Sequence, residues 1–157
     1  MAPYSGPVRI IGRDEEENAL ELCRRLWSEN GTFSLSEKKV REALSRAFDK
    51  QGGILAGVGP RGDLHGLLYL WLDTYWYSDD PHWTELFLYV TPEHRKSKNA
   101  VELLQFAKWC VDESNIPLVI GIFSSESTAR KELLYERQLN PEGKGKFFLY
   151  KKKQPSE

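Results

Sequence analysis

"YVTPEHRKSKNAVELLQFAKW", residues 89–109, changes character twice. Tyr89, Val90 and Thr91 close an extended apolar run, and Pro92 interrupts it. From Asn99 onward the apolar residues recur at helical spacing. Between strand and helix, Arg95, Lys96 and Lys98 crowd around Ser97 and Asn99. A helix N-terminus exposes unpaired N–H groups and the positive end of a dipole, so an anion placed there satisfies both. Asn99, with Glu102 three residues on, can cap this helix, and Ser97 is the competing cap. Either choice leaves residues 95–99 as a tight cationic loop whose main-chain donors converge, which suits a diphosphate. The alternative is a basic turn that is simply solvated.

The rest of the chain narrows the setting. Its 157 residues predict one domain over 1–157, with 151–157 as a frayed tail. An apolar fraction of 40% and a charged fraction of 29% fit a globular protein. The net charge of −1 argues against a nucleic-acid partner, so anion binding has to come from a local arrangement. Cys23 and Cys110 fall on the apolar faces of predicted helices and read as buried thiols. There is no C-x-x-C, and the three histidines lack metal-ligand spacing, so no metal is expected. Nothing resembles a signal peptide or a membrane span, and a cytoplasmic location is expected.

Periodicity and breakers give the order β-α-α-β-β-β-α-β-α-β, a mixed α/β domain. Val8–Ile11 is a short strand. Asp14, with Glu17 behind it, starts a helix that Gly31 stops, and Ser34 with Glu37 caps the next. "GGILAGVG", "LHGLLYLWLDTYWY" and "HWTELFLYV" read as strands. After the opening stretch and its helix, to about Ser114, "IPLVIGIF" reads as a buried strand, "SSESTARKELLYERQL" as a helix and "GKFFLYKKK" as a last strand.

Strand, V-x-P, basic six-residue loop, helix, strand, then a helix carrying L-Y-E-R: this succession resembles the GNAT acyltransferase superfamily. The usual loop motif there is Arg/Gln-x-x-Gly-x-Gly/Ala. Here it reads Arg95-Lys96-Ser97-Lys98-Asn99-Ala100, with Lys98 in place of the central glycine. Such a glycine-poor loop is similar to that of some bacterial and phage-associated members. "STARKELLYERQL" is similar to N-x-x-A-x-x-L-Y-E-x-x-G-F, with Thr128 at the asparagine and Tyr135 at the tyrosine. The resemblance implies a GNAT fold that transfers acetyl from acetyl-CoA to a primary amine. Pantetheine would run along Tyr89, Val90 and Thr91, the diphosphate would sit on Arg95–Ala100, and an N–H near Val90 would stabilise the oxyanion. Glycine permits a left-handed backbone, so Lys98 is expected to adopt that conformation under strain or to redraw the loop.

Tyr135 is the expected general acid toward the leaving thiolate, with core packing of its ring as the alternative. Thr128 would bond pantetheine or cap its helix. The base is open between Glu85, His82 and a water chain. Strand alternation puts residues 82, 84, 86, 88 and 90 on one face and Glu85 on the other, unless a bulge changes the parity. The acceptor is unidentified, and its pocket is expected between the first two helices and the ends of the middle strands, walled by residues 28–34 and 74–80. Tyr75, Trp76 and Tyr77 could stack on a substrate, or serve in the core or in a dimer contact; dimers are common for this fold. The competing function is a non-catalytic CoA-binding or protein-interaction module on the same fold.

Overall fold

The computed structural model describes residues 3–122 and 128–155. Their apolar alternation builds one sheet between two helical layers. The elements run β1 (Arg9–Ile10), α1 (Glu16–Asn30), α2 (Glu37–Phe48), β2 (Gly53–Val58), β3 (Gly66–Thr74), β4 (Pro81–Val90), α3 (Asn99–Ser114), β5 (Leu118–Val119) and α4 (Thr128–Leu139). The five strands lie in chain order, antiparallel as far as β4, and β5 pairs parallel to β4. On β3, Leu67 and Tyr69 point to one face and Leu68 and Leu70 to the other. The first pair packs with Leu20, Cys23 and Leu44 of α1 and α2. The second packs with Leu103, Phe106 and Cys110 of α3. Both cysteines are free and buried. α4 lies beside α3.

One irregularity decides the geometry of β4. Leu70 pairs with Glu85 but Tyr69 pairs with Phe87, so Leu86 is an extra residue in a bulge. The bulge reverses side-chain parity along the strand. Glu85 therefore shares the α3 face with Leu88 and Val90, contrary to the parity of an unbroken strand. His82, opposite Asp73, and Thr84, opposite Trp71, take the α1–α2 face.

β4 and β5 meet only at Trp83–Leu118 and Thr84–Val119. Past Thr84 the two strands part. Thr91 N–H donates to His65 C=O at 3.0 Å. By the alternation of an antiparallel ladder, Val90 and Leu88 then turn their N–H and C=O groups away from β3, toward the gap.

The ends of the elements depart from expectation in four places. Arg13–Glu15 is a 3₁₀ turn, and α1 begins after it without a side-chain cap. Ser36, not Ser34, caps α2 by accepting Lys39 N–H at 3.3 Å. β5 is a short edge strand, and Val119 on it is 36% exposed, because nothing covers its outer side among the described residues. The expected strand over "GKFFLYKKK" does not form: residues 140–155 are irregular, and Phe148 is 90% exposed.

Candidate functional site

Where β4 and β5 part, a cavity of about 650 Å³ runs from the α1–α2 layer through the gap to α4. Phe87 and Tyr69 line it from one face of the sheet, Glu85 and Leu88 from the other. Glu85 reaches it through the bulge. Lys131 and Tyr135 reach it because residues four apart share one face of α4.

Glu85, Lys131 and Tyr135 form the polar cluster of this cavity. Gly121 N–H, just past β5, donates to the Glu85 carboxylate at 3.2 Å. Burial pushes the Glu85 carboxyl up to about 7, with that N–H and the Lys131 charge pulling the other way. Burial also pushes the Tyr135 phenol far above its usual range, and the negative charge of Glu85 adds to the effect. Burial holds the Lys131 ammonium below its usual range, and the positive charge of Arg95 adds to that.

The cationic loop begins with a brace. Thr91 directs its N–H and its hydroxyl to His65 C=O, and the same hydroxyl lies 2.7 Å from His94 Nδ1. The His65 and His94 rings stack with centroids 3.5 Å apart. Thr91 thus anchors the loop and has no group left for pantetheine. Tyr89 pairs with Leu67 on β3, and its hydroxyl donates to Glu29 at 3.1 Å, so it too turns from the gap. Of the three residues expected to line pantetheine, Val90 presents its main chain there.

Neither expected residue holds the cap position of α3, which falls to Lys98 without a side-chain cap; Ser97 instead shapes the turn before it. Its hydroxyl accepts Asn99 N–H at 3.2 Å and donates to His94 C=O at 2.5 Å. Asn99 Nδ2 reaches the same carbonyl at 3.4 Å and caps nothing. Lys98 sits at φ −86°, ψ 6°, in the bridge region beside the right-handed helical basin. Of the two outcomes expected at Lys98, the redrawn loop is the one found: the chain reaches the helix by way of a 3₁₀ turn, Pro92–His94, and needs no positive φ. Lys96 and Lys98 are exposed. Ala100 and Val101 follow in the first turn of α3, where N–H groups have no acceptor within the helix. Two ammonium groups beside open N–H donors fit a diphosphate.

Arg95, expected at the diphosphate, makes hydrogen bonds within the protein. Its Nε donates to Val90 C=O at 2.9 Å, and its NH2 group meets the Glu29 carboxylate at 2.5 Å. It ties the loop to both α1 and β4.

Other expected residues stand elsewhere. His82 is buried at the far end of β4, near Tyr75, with Nδ1 3.0 Å from the Thr84 hydroxyl, and does not line the cavity. Residues 74–80 do not line it either, and Trp76 is 94% exposed. The walls expected there are supplied instead by α1, α2 and their connection, of which Asn30 and Gly31 were foreseen. Thr128 opens α4, but its side chain lies outside the described residues. Lys131 was missed, although its spacing of four from Tyr135 was the signal for it. Among the described residues no cluster suits a metal ion, and no helix is long and apolar enough to cross a membrane.

No family model and no curated protein matches the sequence. Solved structures do match. A probable acetyltransferase is 18% identical, with TM-score 0.66 over 96% of this chain and 99% of its own. An aminoglycoside antibiotic 6'-N-acetyltransferase from Acinetobacter haemolyticus is 13% identical, with TM-score 0.66 over 94% of this chain and 99% of its own. A predicted acetyltransferase from Clostridium acetobutylicum, solved with acetyl-CoA, is 11% identical, with TM-score 0.71 over 91% of this chain and 94% of its own. At such identities the likeness speaks for architecture, and on that ground the chain has the GNAT-type acetyltransferase fold.

Proposed function

We propose that this protein is an acetyl-CoA-dependent N-acetyltransferase acting on a primary amine. The observation that carries this reading is the meeting of Glu85, Lys131 and Tyr135 in one cavity at the gap between β4 and β5.

Acetyl-CoA would supply the acetyl group as a thioester. Lys96, Lys98 and the first N–H groups of α3 hold its diphosphate, with Ser97 shaping the turn. The Val90 main chain, facing the gap, bonds the pantetheine amide. The Leu88 N–H faces the same gap beside the cavity and is the donor for the carbonyl oxygen as charge grows there. A donor fixed by the sheet before reaction needs no reorganisation.

Glu85 takes the amine proton. A carboxyl held near 7 is matched to a base working at neutral pH. The amine nitrogen bonds to the carbonyl carbon, and the carbon–sulfur bond breaks. Tyr135 presents its O–H to the departing sulfur. The phenol is protonated at neutral pH and can donate as negative charge develops on sulfur. The proton that Tyr135 yields to the thiolate is replaced, through solvent, by the one that Glu85 gained.

Calorimetry with acetyl-CoA and desulfo-CoA tests the first half of this reading, and thiol release across an amine panel tests the second. Binding followed by amine-dependent thiol release is expected. Failure of both ligands to bind at roughly millimolar concentration would overturn it. Binding without release from any amine would make the chain a CoA-binding module.

A further inference from the structure

The cavity is built unevenly. From α1, α2 and their connection it receives Leu26, Leu35, Val40 and Ala43, and from β4 it receives Phe87. Trp27 also lines it, its ring nitrogen held by Phe33 C=O at 2.7 Å. Among the described residues Glu85 is its one acidic side chain, and it sits at the gap end. Two cations line it as well: Lys131 near Glu85 and the exposed Lys39 at the α2 side.

Resting on the transferase reading above, we propose that the acceptor is a monoamine with a hydrophobic body, an arylalkyl or branched alkyl amine, and not a polycation. The single carboxylate can receive one amino group. A second ammonium would enter a lining with two lysines and no further acid, where repulsion and lost hydration both oppose it. The apolar wall offers a hydrocarbon body what it needs, removal of its surface from water. The volume is in the range of ordinary small-ligand sites. Amine and body therefore take opposite ends: nitrogen at Glu85, hydrocarbon between α1 and α2.

The test compares 2-phenylethylamine, ethylamine and spermidine, first by thiol release with acetyl-CoA, then by calorimetry on protein saturated with desulfo-CoA. Phenylethylamine should exceed ethylamine in kcat/KM on the order of a hundredfold, the upper part of the range for burying a phenylalanine-sized side chain. It should also exceed spermidine. In calorimetry its binding should be measurable where that of spermidine is not, and it should quench tryptophan fluorescence in a way that Trp27→Phe removes. Lys39→Glu adds a carboxylate at the rim and should narrow the discrimination against spermidine about tenfold; an unchanged ratio would overturn the charge argument. Equal or better use of spermidine or ethylamine, with acetyl-CoA binding intact, overturns the inference while leaving the transferase reading standing. So does a cavity that takes an acyl chain, seen as octanoyl-CoA binding more than about tenfold tighter than acetyl-CoA with no saturable phenylethylamine binding. Failure of acetyl-CoA itself to bind defeats the transferase reading, and this inference with it.

Discussion

Gly121 N–H donates to the Glu85 carboxylate at 3.2 Å, across the opening where β4 and β5 have stopped pairing. A main-chain donor stands where a strand ladder has ended, and the side chain it holds is one that the β4 bulge turned into the cavity. The bond orients the carboxylate and favours its charged form, but burial opposes ionisation more strongly, leaving the group near 7.

That balance has a pH signature. Folding raises the Glu85 pKa from 4.5 to about 7, so the folded state holds the proton more tightly. The stability this gives is full below about 4.5 and is lost as pH rises through 7. The loss amounts to at most about 3 kcal/mol. Glu85→Gln should therefore melt higher than the wild type at pH 8 and close to it at pH 4.5. It should also lower kcat by about 10²–10⁴ at neutral pH, the usual contribution of a general base. Melting curves at the two pH values and a pH–rate profile check this. A variant that keeps full activity would remove Glu85 as the base.

Tyr135→Phe separates a proton donor from a packing group. The ring keeps its place in the cavity wall, and only the hydroxyl goes. kcat should fall at least tenfold, while acetyl-CoA affinity changes less than about threefold. Because the Glu85 charge helps to push the phenol up, the Tyr135 titration should begin at lower pH in Glu85→Gln than in the wild type. Ultraviolet difference spectra, with Tyr135→Phe as the blank, report it.

How much of this the sequence carried depends on the scale of the feature. α3 was bounded at Asn99 and Ser114 by a helical period with breakers on both sides, and the structure has those ends. The strand at Gly66–Thr74 followed from its apolar and aromatic run. The side of Glu85 did not, because a bulge is one inserted residue and leaves no periodic trace over so short a strand. Residues 145–153 show the converse error. Their aromatic residues suited a strand, but a strand also needs a partner edge, and β5 pairs over only two residues. Tyr75–Tyr77 read as a pocket wall because aromatics commonly line pockets; they stand on the β3–β4 turn, away from the helices that close the cavity.

Lys98→Gly tests the cationic loop. With Lys98 at φ −86°, glycine has no strain to relieve there. The substitution removes a cation and loosens the unfolded and unbound loop. Acetyl-CoA binding should weaken about threefold to tenfold, and its salt dependence should become shallower. Tighter binding in calorimetry would show that the lysine obstructs the diphosphate.

Arg95 poses a sharper question, because its charge and its geometry predict different things. A guanidinium that contacts phosphate directly can be replaced in part by an ammonium, since both carry one positive charge. A guanidinium that must reach Val90 C=O and Glu29 together cannot, because lysine has no fork. The Glu29 pair is half-exposed, so its loss alone should cost under about 1 kcal/mol of stability. What fails is the position of the loop against β4. Arg95→Lys and Arg95→Ala should therefore weaken acetyl-CoA binding by similar factors, about tenfold, with melting temperatures little changed. Glu29→Gln, which leaves the arginine but loosens its hold, should give a smaller loss in the same direction. An Arg95→Lys variant that binds like the wild type would make Arg95 a phosphate ligand instead of a brace.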